Sequence, residues 1–140
     1  MNNEYHVYIE YGVTVIPVLI NSILNGRAGP LALRRFLKRA WSQLEEEQGI
    51  QEERRVKVTR RTPARKERMQ VTRYYDCERR SFKALRSSLG ALESFLEERD
   101  ESWLEKSLLE YETSERFRKS QLAMRMRLQP ILCERISRAC

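Results

Sequence analysis

Residues 81–98 read SFKALRSSLGALESFLEE, and the spacing of the apolar side chains in that stretch decides the fold. Phe82, Leu85, Leu89, Leu92 and Leu96 recur at steps of three, four, three and four, with Phe95 beside the row. Such spacing is the seam of an amphipathic helix with a heptad pattern, whereas a strand would alternate at every second residue. Tyr75 extends the seam back by one heptad, so the pattern predicts a helix over 75–98. Gly90 inside the row lowers helix propensity and would allow a neighbour to approach closely.

Towards the C-terminus the pattern breaks at Glu98-Arg99-Asp100. Asp100 is a suitable N-cap for a second helix, with Glu101 in its first turn. That helix runs over 101–128 through Trp103, Leu104, Leu108, Tyr111, Phe117, Leu122, Met124 and Leu128. Ser114 and Gln121 interrupt its seam. Pro130 is expected to end it, leaving a short helix or a tail with Ile131, Leu132 and Ile136. So short a connection makes the pair an antiparallel αα-hairpin.

Towards the N-terminus, Pro30 opens a helix over 30–48 with Leu33, Phe36, Leu37, Ala40, Trp41 and Leu44 on one face. It closes on Glu45-Glu46-Glu47 and stops at Gly49. Three glutamates at a helix C-terminus oppose its dipole and invite a nearby cation, unless the end is simply solvated. Residues 13–25 are dense in apolar types and form a buried helix capped at Gly26, with Pro17 near its first turn. Residues 5–13, YHVYIEYGV, alternate Val7, Ile9, Tyr11 and Val13 with His6, Tyr8, Glu10 and Gly12. They suit a short strand, or a lead-in to the following helix.

Between the two helical halves lies the chain's excess charge. Arg54, Arg55, Lys57, Arg60, Arg61, Arg65, Lys66, Arg68 and Arg73 face a single acid, Glu67, which gives residues 54–73 a charge of +8. The whole chain carries +7, so the remainder is nearly balanced and the excess is local. Residues 55–59 and 68–72 each alternate with period two around Thr62-Pro63-Ala64. They read as a β-hairpin with Val56, Val58, Met69 and Val71 on one face, or as a disordered basic linker. With a strand over 5–13, the hairpin would complete a small sheet.

The expected architecture is mainly α: a helical bundle around a C-terminal αα-hairpin, with a small β-hairpin or basic arm in the middle. A chain of 140 residues with 41% hydrophobic and 34% charged content suits one domain. It divides into residues 1–50, the island 51–74 and the helical part 75–140. Eighteen of the 20 acids are Glu, the more helix-compatible carboxylate. The apolar run 13–24 lacks a basic leader and is short of the ~20 residues that span a bilayer. Cys77, Cys133 and Cys140 are widely spaced without a CxxC, as reduced thiols in a cytoplasmic protein would be.

The chemistry these residues suggest is binding. His6 is the only histidine, and no nucleophile can be tied to it. Cys77 lies between Asp76 and Glu78, whose charges suppress a thiolate. There is no phosphate loop, no metal-ligand spacing and no cofactor motif, so an enzyme is not expected. A localised basic patch is the footprint of a polyanion partner, and its arginines suit phosphate. Tyr74, directly after the island, is a candidate for stacking on unpaired bases. Tyr75 fits better as a core position. The large apolar side chains exceed what one hairpin buries, so a four-helix bundle forms, or one face is left for a protein partner or a second copy. The sequence thus points to a non-enzymatic accessory or adaptor subunit whose basic segment meets nucleic acid or an acidic protein. The other reading is a stand-alone, sequence-tolerant nucleic-acid binder.

Overall fold

The structure, a computed structural model, describes residues 15–139, with side chains over 16–130 and at Leu132. The strand expected over 5–13, together with His6 and Cys140, lies outside the described residues. Four helices make up the rest: α1 (Val15–Leu24), α2 (Pro30–Arg60), α3 (Arg65–Glu98) and α4 (Ser102–Ala139). There is no strand among the described residues. The 34 residues of α3 give it a length of about 50 Å at 1.5 Å per residue.

The helix ends follow local chemistry. Gly26, at φ 70°, takes the left-handed turn after α1. Arg99 does the same after α3 at φ 58°, its N–H donating to the Phe95 carbonyl. Asp100 Oδ1 then accepts the Ser102 N–H at 3.0 Å and starts α4, which holds the Asp100 carboxyl below its ordinary range.

The pairing between α3 and α4 is antiparallel, because contacts that advance along α3 retreat along α4. Glu78 meets Gln121, Ser81 meets Ser114 and Ser88 meets Ser107. The last pair is reciprocal: each buried serine hydroxyl donates to the other's carbonyl, at 2.8 and 2.9 Å. Small residues at this crossing satisfy their polar groups across the interface. Around them the first core gathers Leu33, Leu37 and Leu44 of α2, Leu85, Leu89 and Leu92 of α3, and Leu104 and Tyr111 of α4. Ile16 and Ile20 of α1 are buried in the same cluster.

Three boundaries differ from the sequence expectation. α2 does not stop at Gly49 but continues to Arg60, so Glu45, Glu46 and Glu47 lie inside a helix. α4 does not end at Pro130. Leu128 and Leu132, on either side of the proline, are buried with Val58, Val71, Tyr74 and Tyr75 in a second core, and that packing holds the helix across the missing N–H. Residues 55–59 and 68–72 are helical, not a β-hairpin and not a disordered linker. A strand would place Val56 and Val58 on one face, whereas Val58 is fully buried and Val56 is 38% exposed. The turn chemistry at 62–64 is real but joins two helices. Thr62 Oγ1 donates to the Val58 carbonyl at 2.7 Å, and Pro63 prevents continuation. Gly90 serves no close approach, since a Cβ there would meet nothing within 4 Å.

Candidate functional site

Two features stand out, and both follow from how α2, α3 and α4 align. The first is the basic end. Because α2 ends at Arg60 and α3 begins at Arg65, Arg60, Arg61, Arg65, Lys66 and Arg68 surround one tight helix–helix turn, with Arg73 two turns along α3. All six are exposed, and among the described residues none of them enters an ion pair. Lys57 is exposed as well.

Arg54 and Arg55 are half-buried and belong to different surroundings. Arg55 donates to Glu52 at 2.6 Å, and Arg79 of α3 reaches the other Glu52 oxygen at 2.7 Å. The Arg55 hydrogen bond, followed by that of Arg79, holds the Glu52 carboxyl below its usual range. The island expected from sequence is therefore split. Six residues crowd one end, while Arg54 and Arg55 face the body of the bundle. Tyr74 is 7% exposed, with its ring edge-on to Tyr75 at 5.0 Å inside the second core. The structure gives that ring a packing role.

The second feature was not singled out from sequence. On α2 the inward positions run Leu33, Leu37, Ala40, Leu44, Glu47, Gln51, Arg54, Val58, in unbroken 4-3 spacing. On α4 the same register runs Leu104, Ser107, Tyr111, Ser114, Arg118, Gln121, Arg125, Leu128, Leu132, in unbroken 3-4 spacing, with Arg125 exposed at the rim. Each seam is polar in its middle. The α3 seam carries Glu78 at the same level, one heptad before Leu85. A polar layer therefore separates the two apolar cores, and it lines a cavity of about 240 Å³. The signal was the register itself: continuing the heptad count through the polar residues places them inside.

Electrostatics mark Glu78 as the centre of this layer. Gln121 Nε2 donates to Glu78 Oε2 at 2.7 Å. Burial raises the Glu78 carboxyl to about 7, with Glu47 adding to the rise, while the Gln121 hydrogen bond, Arg54 and Arg125 pull it down. Among the described residues neither arginine closes an ion pair with Glu78. Glu47 is buried and accepts from Gln43 Nε2 at 3.1 Å. Tyr75 also lines the cavity; its hydroxyl is buried without a hydrogen-bond partner, and burial pushes its pKa far up. Arg118 approaches Glu115 at 3.4 Å, yet its Nε and Glu115 Oε1 are each buried without a hydrogen-bond partner.

Cys77 is half-buried and free, and burial first, then Asp76, raises its thiol pKa. Among the described residues no cluster of three or more His, Cys, Asp or Glu side chains is placed to hold a metal ion. No described helix is long and apolar enough to cross a membrane. The chain matches no protein family, no curated protein and no solved structure.

Proposed function

We propose that this protein is a non-enzymatic helical adaptor or accessory subunit that contacts an anionic partner through the basic end at the α2–α3 turn. The observation that carries this reading is the exposure of Arg60, Arg61, Arg65, Lys66, Arg68 and Arg73 around one turn, outside any ion pair among the described residues. Arg60 suits the last turn of α2, but the cations that open α3 are not called for by folding. Arg65, Lys66 and Arg68 occupy the first turn of α3, where the helix dipole is positive and each cation costs about 0.3–1 kcal/mol. The N-cap residue there, Ala64, has no side-chain cap, so backbone donors add to the positive field. A bound polyanion would relieve both.

Retention on immobilised heparin, a generic polyanion, tests the reading. The parent chain should elute only at raised salt, and the variant with Arg60, Arg61, Arg65 and Lys66 changed to Glu should pass through. Equal elution of the two proteins would remove the basic end as the contact. A gel-shift titration with single-stranded RNA then separates the two versions of the function. An adaptor for an acidic protein leaves the RNA unshifted, and a nucleic-acid binder shifts it.

A further inference from the structure

We infer that the anionic partner of the basic end is a nucleic-acid duplex, held by its phosphates along a track that continues from the α2–α3 turn onto α4. The inference rests on the reading above and names both the partner and the rest of its footprint. It starts from a second basic segment. Residues 116–127 hold Arg116, Arg118, Lys119, Arg125 and Arg127 and no acid, and the next acid along the chain is Glu134. With the +8 of residues 54–73, the two segments exceed the net charge of +7 by six, so the rest of the chain is acidic on balance. The cations are segregated, not merely numerous.

The fold brings the two segments together. Glu78 meets Gln121, and because α3 and α4 are antiparallel, Arg73 is level with Arg125 one turn nearer the basic end. Leu128 shares the second core with Val58 and Val71, which flank the α2–α3 turn. Arg116, Lys119 and Arg127, at steps of three and eight, share the outward face of α4. They are exposed and, like Arg125 at the rim, enter no ion pair among the described residues. Arg118 is half-buried beside Glu115 and takes no part. Ser114 meets Ser81, sixteen residues along α3 from Arg65, so the track from Arg116 to the turn is about 20 Å long.

A duplex presents a phosphate charge every ~1.7 Å of its axis, so about a dozen face a track of that length. A short acidic segment of a protein would meet only part of it. Of the ten exposed cations, eight are arginines, whose planar fork matches phosphate. No ring is offered to unpaired bases on this half of the bundle among the described residues. Tyr74 and Tyr75 are buried, and Phe117 is half-buried with Arg80 5.8 Å from its ring centre. Single strands are gripped largely by stacking, whereas contacts to a duplex backbone need none.

The test titrates the full chain into a labelled DNA duplex of two helical turns, followed by fluorescence anisotropy over a salt series. Two duplexes of unrelated sequence should bind alike, and a single strand of the same length more weakly. The variant Arg116→Gln, Lys119→Gln, Arg127→Gln touches neither core nor cavity and should keep the parent's melting temperature. Its slope of log affinity against log salt should be shallower by about 2.7, that is about 0.9 for each cation removed, and its low-salt affinity at least about tenfold weaker. A control with Arg34→Gln, Arg35→Gln and Lys38→Gln removes as many exposed cations from the far end of the bundle and should keep the parent's slope. An unchanged slope in the α4 variant, an equal loss in the control, or tighter binding of the single strand would overturn the inference. A parent that is retained on heparin but ignores the duplex would also overturn it, while leaving the basic end as the contact.

Discussion

Glu78 shows how one residue can couple the fold to pH. Its carboxyl ionises near 4.5 when free of the fold and near 7 in its buried place against Gln121. Between those values the folded chain holds a proton that the unfolded chain has released. Stability from this group is therefore full below about 4.5, falls as pH rises through the window, and levels off above 7. The loss amounts to at most about 3 kcal/mol. Glu78→Gln keeps the size and a hydrogen-bonding partner for Gln121 but has no charge to bury. We expect denaturant melts at pH 5 and pH 8 to differ less in the variant than in the parent, and the variant to be the more stable at pH 8. Equal pH dependence of the two would remove Glu78 as the buried acid. Gly49 gives a second test at this scale. It is exposed inside α2, with open space where a Cβ would go, so Gly49→Ala should stabilise by about 0.5–1 kcal/mol. A destabilised variant would contradict a continuous α2.

At the scale of elements, what could be read from sequence depended on whether the seam was apolar. Phe82, Leu85, Leu89 and Leu92 are buried in the structure, and Leu96 packs on the same core. Residues 30–44 of α2 were equally readable. Beyond them the seams turn polar at Glu47, Gln51 and Arg54 on α2, and at Ser114, Arg118, Gln121 and Arg125 on α4. On α2 an apolar-periodicity reading loses the helix there, although the register continues; on α4 the helix was still followed to 128 and Pro130 alone marked its end. Gly49 and Pro130 then looked like ends. Local propensity favoured stopping, and packing of Val58, Leu128 and Leu132 in the second core overrode it. The hairpin reading of 55–59 and 68–72 failed because short alternating runs fit either period until burial separates Val58 from Val56. The polar cavity was missed for the same reason, since its residues resembled surface charges. The α3–α4 pairing has its own test. Leu89 is fully buried, so Leu89→Ala should cost about 2–5 kcal/mol in a denaturant melt. Ser88→Ala and Ser107→Ala should be non-additive in a double-mutant cycle, because each hydroxyl serves the other's carbonyl. Simple additivity would argue against the crossing at that register.

For the whole molecule, the long helices act as a rigid support that brings the C-terminal turns of α2 and the N-terminal turns of α3 to one end. The net charge of +7 is concentrated there, and the first turn of α3 is less stable for it. Reversing Arg60, Arg61, Arg65 and Lys66 to Glu should therefore leave the melting temperature nearly unchanged, since exposed charges contribute little, and acids that suit the N-terminus of α3 oppose the dipole at the C-terminus of α2, where Arg60 and Arg61 lie. A large fall in melting temperature would mean that these cations serve the fold. The most direct test is the salt dependence of polyanion affinity, measured by fluorescence titration of a labelled heparin oligosaccharide with parent and variant. If the basic end meets an anionic partner by displacing counterions, the parent's affinity falls steeply with salt, by roughly 0.7–0.9 log units per decade for each anionic group engaged. The variant should bind weakly at the lowest salt and show a shallow slope. Parallel steep slopes for the two proteins, or a parent that does not bind even at low salt, would contradict the account.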